Sequence, residues 1–484
     1  MGIVFKQSLK NTFVIYLAFA FGGINALFLY TNFLEASFYG LVTFLLSTAN
    51  LLMPITAFGV QYSIVKFFSS YRTKQEKDRF LSFALWLPLF IAIPFGFIGN
   101  LFYEQISNYL SIKNPIIKNY TFIIYFIAVF TAYFEVFYAW SKVQLQSVFG
   151  NILKELWNRV ITMILLFAVF FEWITQQDFL YYLTVAYFIR TLLMMLYAFK
   201  QYMPNFTIKL PENTSEVIKY SVFVILAGSA GAILLDIDKF MIPQKRAIET
   251  VAYYSVAVYI ASVLEAPGRA MMQILQPLTA KAINEKNTTE VESLYKRSSI
   301  NLLLICGLFF LLINLNISEL YKLLDTKYAD GIWVALLIST AKLYTMSLGN
   351  NGAIISNSKY YKILLPYGII MALSVYFLNK WLIDLIGIDG AALSTLIVVL
   401  IFNTLKIWYV NKRFKIFPYD KKTKKLLIIL VLISFSFYFW NFIFHPIINI
   451  LLKSILIIIL YLFTINKFRI SNEINNLFSN FFYK

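Results

Sequence analysis

Long apolar runs alternate with short polar gaps along the whole chain. The runs predict membrane-crossing segments near 12–34, 39–65, 80–103, 116–139, 156–172, 179–199, 217–242, 248–277, 299–317, 331–355, 363–383, 388–410, 426–444 and 447–466. A hydrocarbon core of about 30 Å takes roughly 20 apolar residues of helix, and each run is of that order. The runs are continuous rather than alternating with a period of two, so they predict helices and not the strands of a β-barrel. A helix satisfies its own backbone hydrogen bonds, which hydrocarbon cannot do. The pairs 217–242/248–277 and 426–444/447–466 are tightly joined. The predicted fold class is therefore an all-α membrane protein of about fourteen transmembrane helices.

Composition strengthens this picture. The 484 residues are 60% hydrophobic and 14% charged, with a mean hydropathy of +0.70; soluble domains are about 45–50% apolar and about 25% charged. Of the 42 Lys and Arg, 30 fall in the N-terminal segment, the even-numbered gaps and the C-terminal tail. Nine are assigned to the odd gaps, and Arg190, Arg269 and Lys342 stand inside spans. Basic residues accumulate on the cytoplasmic side. Both termini are thus expected in the cytoplasm, and the net charge of +18 reads as topology plus affinity for anionic membrane lipids. No nucleic-acid module accompanies it. The first run is too long for a signal-peptide core and no small-residue cleavage site follows, so it is expected to be retained. Cys306 and His445 each stand alone, which leaves no disulfide framework and argues against a metal site or other cofactor.

The chain shows signs of internal duplication. YGLVTFLLSTANLLMPITAFG (39–59) parallels YYSVAVYIASVLEAPGRAMMQ (253–273), each carrying a proline, Pro54 or Pro267, ahead of a basic loop. TAYFEVFYAW (131–140) and TAKLYTMSLG (340–349) occupy matching places in the two halves. The most basic stretch, NKRFKIFPYDKKTKK (411–425), sets off a final helix pair. The expected division is 1–210, 211–415 and 416–484. Two halves around a central site are a common transporter plan.

A charge in mid-membrane costs about 2.5–3.5 kcal/mol on insertion scales and usually faces a cavity or a partner. Arg190 and Lys342 lie near the centres of their spans. Each reads either as a cation in a substrate cavity or as half of an inter-helix ion pair. Glu265 and Arg269 flank Pro267 at a spacing of four, on one helix face. They form either a gate or coupling element at a discontinuous helix or a self-neutralised pair holding a kink. Asp236 and Asp238 mimic the metal-binding DxD of glycosyltransferases, but residues two apart on a helix do not face together; an Asp238–Lys239 ion pair is the expected arrangement. Glu135 is expected to be paired or near the interface. Asn25 and Asn50 are expected to bond between helices.

The segments 238–283 and 39–69 resemble bacterial polysaccharide-biosynthesis flippases of the multidrug/oligosaccharidyl-lipid/polysaccharide exporter superfamily. The resemblance rests on an Asp-Lys pair, a short outer turn and an aromatic-small helix leading to a proline. It implies two pseudo-symmetric six-helix lobes around a central cavity, plus two C-terminal helices. It further implies a carrier, not an enzyme, in the bacterial inner membrane. The cargo would be an undecaprenyl-diphosphate-linked oligosaccharide, moved by alternating access driven by H+, Na+ or the membrane potential. A diphosphate prefers Arg and Lys partners, which makes Arg190, Lys342 and Arg269 the candidate substrate residues. Glu265, Pro267, Asp236 and Asp238 are candidates for coupling or gating.

The rivals are a multidrug cation antiporter, a peptidoglycan lipid precursor flippase and a polysaccharide polymerase. The antiporter would need buried carboxylates, and only Glu265 lies as deep as the three cations. The polymerase would be expected to carry a large outer loop, whereas the odd gaps are short. Reporter tags at either terminus are expected to be cytoplasmic; an external C-terminus would refute the even number of crossings.

Overall fold

The computed structural model describes residues 3–440 and 442–470, and all their regular structure is helical. Residues 1–2 and the tail 471–484, where the termini are expected, lie outside the described residues, as does Asn441 within the predicted run 426–444. Among the described residues, nine helices are long and apolar enough to cross a membrane, including Lys74–Leu101, Gln176–Gln201 and Thr288–Tyr321. A tenth candidate, Thr326–Ser347 with Asn351–Asn357, is bent by 55°. The other four predicted runs are also helical. Run 156–172 begins within the π-turn Leu153–Trp157 and continues as Asn158–Phe170, and 217–242 corresponds to Thr214–Met241. The run 248–277 is broken, and 426–444 corresponds to Lys421–Tyr438. The chain is thus a multi-pass all-α membrane protein.

Helix starts follow local chemistry. Thr73 with Glu76, Thr175 with Asp178, and Asp420 with Thr423 form reciprocal caps at helix N-termini. Such caps satisfy two otherwise orphaned N–H groups.

Three of the four segments singled out as duplicated contain a break in the helix, and the fourth, 131–140, lies within a continuous helix that ends shortly after it. Ala36–Thr56, with Pro54 inside, breaks at Phe58 and Gly59 and resumes as Val60–Phe67. Its counterpart runs Glu249–Ser262, then a 3₁₀ turn at Val263–Glu265, then Ala266–Asn284 with Pro267 at its start. Thr121–Val143 ends before Leu145 (φ 59°), and Ile332–Ser347 ends before Gly349 (φ 57°). Pro lacks the N–H that would continue the ladder, so a break beside it follows from its chemistry.

Contacts group the described residues into two compact units. One runs up to Ser255 and includes Leu365–Ala391; the other comprises Val256–Leu364 and the chain from Ala392 onward. In the first, Thr121–Val143 packs against Ala36–Thr56 and Gln176–Gln201. Its core includes Ile64, Phe80, Phe134, Trp140 and Met194. In the second, the final pair Lys421–Tyr438 and Pro446–Lys467 packs on Thr288–Tyr321, with Leu311, Leu426, Ile457 and Tyr461 buried between them.

Polar contacts fasten that last helix. Asn449 donates to Glu319 at 3.2 Å, Lys322 pairs with Glu319 at 2.6 Å, and the Tyr461 hydroxyl donates to the Leu304 carbonyl at 2.7 Å. Lys453, assigned to an outer gap by the basic-residue count, is instead buried in Pro446–Lys467, one turn after Asn449. It is a fourth embedded cation, and the helical register places it on the same face as that polar patch.

Gly59 has φ +65°, and a Cβ there would meet the Ser221 carbonyl at 2.7 Å. A side chain would be both strained and obstructed, at a cost of about 1–3 kcal/mol. Gly59→Val is therefore expected to lower the unfolding midpoint of the detergent-solubilised protein. Gly99→Ala, in a helix with open space around it, is expected to leave the midpoint unchanged or raise it slightly.

Candidate functional site

The charges predicted inside spans form two separate centres. The first surrounds Arg190, midway along Gln176–Gln201 and only 4% exposed. Its guanidinium lies over the rings of Phe134 (4.3 Å) and Tyr187 (4.7 Å) and donates to the Thr131 hydroxyl at 3.3 Å. Its Nε finds no acceptor, and no described carboxylate lies within ion-pair distance. The inter-helix ion pair considered for Arg190 is thus not what holds it. Two aromatic faces do, an arrangement suited to the weakly hydrated guanidinium. Glu135, next to Phe134, pairs with Lys154 at 2.6 Å.

The second centre is a shared carboxylate. Glu265 sits in the 3₁₀ turn ahead of Pro267. One oxygen pairs with Lys342, and the other accepts from Arg269 at 3.2 Å. The i,i+4 pair expected between Glu265 and Arg269 is present, and Lys342 joins it from 77 positions away. Two cations on one carboxylate leave a net charge of +1. The Arg269 side chain keeps 44% of its exposure, against 12% for Lys342. Cys306 donates its thiol to the Leu264 carbonyl at 3.2 Å, satisfying a backbone acceptor within the turn. Broken helices of this kind are tolerated in a membrane where other groups re-satisfy the freed backbone.

Asp236 and Asp238, near the end of Thr214–Met241, do not act together. Asp236 pairs with Lys239 at 3.3 Å and accepts from Asn50 at 3.3 Å. Asp238 accepts from the Tyr254 hydroxyl and from Asn379 at 2.7 Å. The expected Asp238–Lys239 pair is therefore corrected: Lys239 reaches back three residues to Asp236, because i,i+3 neighbours share a helix face and adjacent residues do not. Asn50 and Asn25 do bond between helices, Asn25 to the Arg159 carbonyl at 2.7 Å.

Sequence reasoning missed a polar clamp around the turn at 242–248. The Asn114 side chain donates to the carbonyls of Pro243 (2.6 Å) and Arg246 (2.9 Å) and accepts from the Ile248 N–H (2.8 Å). Arg246 donates to the carbonyls of Ile383 (2.9 Å) and Asp384 (3.1 Å), and Lys245 pairs with Asp384. The arginine meets the negative end of the helix Leu364–Ile386, a favourable placement. All three segments belong to odd-numbered gaps, so the predicted alternation placed them on one side of the membrane. Nothing local marks Asn114; its partners lie about 130 residues away.

Comparison with known proteins places this geometry. No curated protein sequence matches the chain at a significant level. Its fold is similar to that of the "Lipid II flippase MurJ, inward closed conformation", at TM-score 0.74 and 15% identity, over 95% of this chain and 98% of that one. It is similar at TM-score 0.60 to a "multidrug resistance MATE family transporter of the MOP superfamily" (13% identity, 84% and 94% coverage). A MOP superfamily transporter from Pyrococcus furiosus also matches at TM-score 0.60 (14% identity, 85% and 95% coverage). At these identities the likeness is one of fold. The family model described as "Polysaccharide biosynthesis protein" matches residues 8–267, more than half of the sequence. With the fold in place and that match over its first half, the chain belongs to the polysaccharide biosynthesis protein family.

Proposed function

We propose that this protein is a flippase that carries a polyprenyl-diphosphate-linked oligosaccharide from the inner to the outer leaflet of the bacterial cytoplasmic membrane. In this reading it is a carrier and not an enzyme, and both termini are cytoplasmic. The lobes 1–210 and 211–415 exchange access to a central site, with 416–484 appended. The observation that carries the reading is the charge balance of the embedded groups. At Glu265 two cations, Lys342 and Arg269, share one carboxylate and leave a net positive charge, and Arg190 has no described carboxylate within ion-pair distance. A diphosphate entering near that carboxylate competes with it for Lys342 and Arg269, exchanging one charge-assisted pair for another. The cost of exposing the cations is thereby limited, since neither is left unpaired before or after.

The same balance disfavours a pump for cationic drugs. Such a pump needs an available buried carboxylate, whereas Glu265, Asp236 and Asp238 all hold partners. A peptidoglycan lipid precursor is the alternative cargo, favoured by the fold likeness to a lipid II flippase. Both cargoes present a lipid-linked diphosphate to the same cations. Complementation separates them: restored growth of cells depleted of their lipid II flippase would favour the precursor, and restored surface polysaccharide in a flippase-null strain would favour the oligosaccharide.

Arg190→Ala and Lys342→Ala are each expected to abolish surface-polysaccharide export at unchanged protein level, measured by glycan blotting. Wild-type export in both variants would overturn the cationic site. Glu265→Ala removes the carboxylate that Lys342 and Arg269 share and is expected to reduce export at least tenfold, given the several kcal/mol that breaking an embedded pair costs. Coupling to H+ or Na+, or gating, by Glu265, Pro267, Asp236 and Asp238 belongs to the same proposal.

Alternating access requires the clamp at 242–248 to open. Cysteines at Asn114 and Ile248, in a Cys306→Ser background and bridged by a short bis-methanethiosulfonate that forms a disulfide to each, are expected to stop export until reductant cleaves those disulfides. Undiminished export by the bridged protein would show that the clamp is not a gate.

A further inference from the structure

We propose that the chain holds one anionic phospholipid in a basic cleft at the start of Lys74–Leu101 and the end of Gln176–Gln201, apart from the embedded cations. Two adjoining cavities, of about 420 and 370 Å3, share Arg79 in their walls. The larger is lined by Lys74, Arg79 and Lys209, with Asn205 and Thr207 beside them. None of these three cations has an ion-pair partner among the described residues. The acidic groups nearby are already engaged. Asp78 is buried and accepts from the Tyr202 hydroxyl at 2.7 Å, and Glu76 is committed to the backbone of Arg72 and Thr73. Asp78 lines the larger cleft together with Lys74, Arg79 and Lys209, so its charged walls sum to +2, and with the polar donors beside them they offer the chemistry that takes a phosphate.

The cleft is a built feature and not a loose loop. Tyr202 reaches Asp78, the Thr207 N–H donates to the Ser82 hydroxyl at 3.2 Å, and Trp140 donates to the Tyr202 carbonyl at 3.2 Å. These bonds fix the linker 202–213 against the first turns of Lys74–Leu101. Both flanking helices are membrane-crossing candidates, so a cleft at their ends sits at headgroup depth. The linker also turns apolar side chains outward: Ile208 is 94% exposed, Leu210 60%, Met203 54% and Phe206 47%. An exposed apolar group beside a basic cleft marks an interaction site. It fits a ligand that is a phosphate at one end and hydrocarbon at the other. The source is thus a membrane phospholipid and not a soluble phosphate.

The test uses the full chain in phosphatidylcholine nanodiscs doped with phosphatidylglycerol, with lipid retention read by native mass spectrometry. Wild type is expected to retain one phosphatidylglycerol. Arg79→Gln with Lys209→Gln is expected to weaken its apparent affinity about thirtyfold, as expected for two basic contacts, and Arg79→Lys to keep most of it. Lys421→Gln with Lys424→Gln, which removes the same charge from another basic segment, is expected to retain the lipid. Equal loss in both double variants would reduce the effect to diffuse attraction and overturn the site, as would full retention by Arg79→Gln/Lys209→Gln. Displacement by millimolar pyrophosphate, with retention unaltered by Phe206→Ser/Ile208→Ser, would identify a soluble phosphate ligand and overturn the lipid.

Discussion

An ion in an apolar surrounding must be given a partner by the protein, and the charged interior of this chain is organised by that constraint. Water can satisfy a surface lysine at little cost; a hydrocarbon interior cannot. The solutions differ from site to site. Arg190 rests between two aromatic faces, Lys342 and Arg269 divide one carboxylate, and Lys453 lies beside a polar patch at Glu319. Each solution recruits residues from more than one helix. The charges therefore act as fasteners between helices as well as candidates for function.

The same constraint explains the broken helices. A proline or a left-handed residue frees backbone carbonyls that hydrocarbon would leave unsatisfied. At the turn before Pro267 a buried thiol fills that role, and the turn presents Glu265 to both cations. The break and the ion cluster are one device: a continuous helix would carry Glu265 in regular register instead of in the tighter turn ahead of Pro267. Where polar segments gather at the membrane surface, water relaxes the constraint. There, cations such as Arg79 and Lys209 stand in a cleft without a carboxylate partner.

Much of this was legible in the sequence for a simple reason. Membrane crossing is a local property, set by about twenty residues at a time, and helix occupies most of every predicted run, with breaks at 57–59 and 348–350 and an early end at Tyr438. Orientation signals are local too, so segments assigned to one side, such as 112–114, 242–248 and 383–384, are found together. The i,i+4 pair of Glu265 and Arg269 could be read from spacing alone. Spacing and gap counts say less about pairing and depth: Lys239 pairs with Asp236 and not with its neighbour Asp238, and Lys453 is buried within a helix.

The sequence by itself determined that the chain is an all-helical membrane protein, where its apolar helices run and that Arg190 and Lys342 lie within them, because hydrophobic length and helical period are written into consecutive residues. Only the tertiary structure decided which of those charges meet. Lys342 finds Glu265 from 77 positions away, and Asn114 closes on a turn about 130 residues distant. Arg190 was left to aromatic rings where an ion pair had been one expectation. Pairing across helices depends on how rods pack, and packing depends on the shape of every side chain at once, which no local pattern encodes.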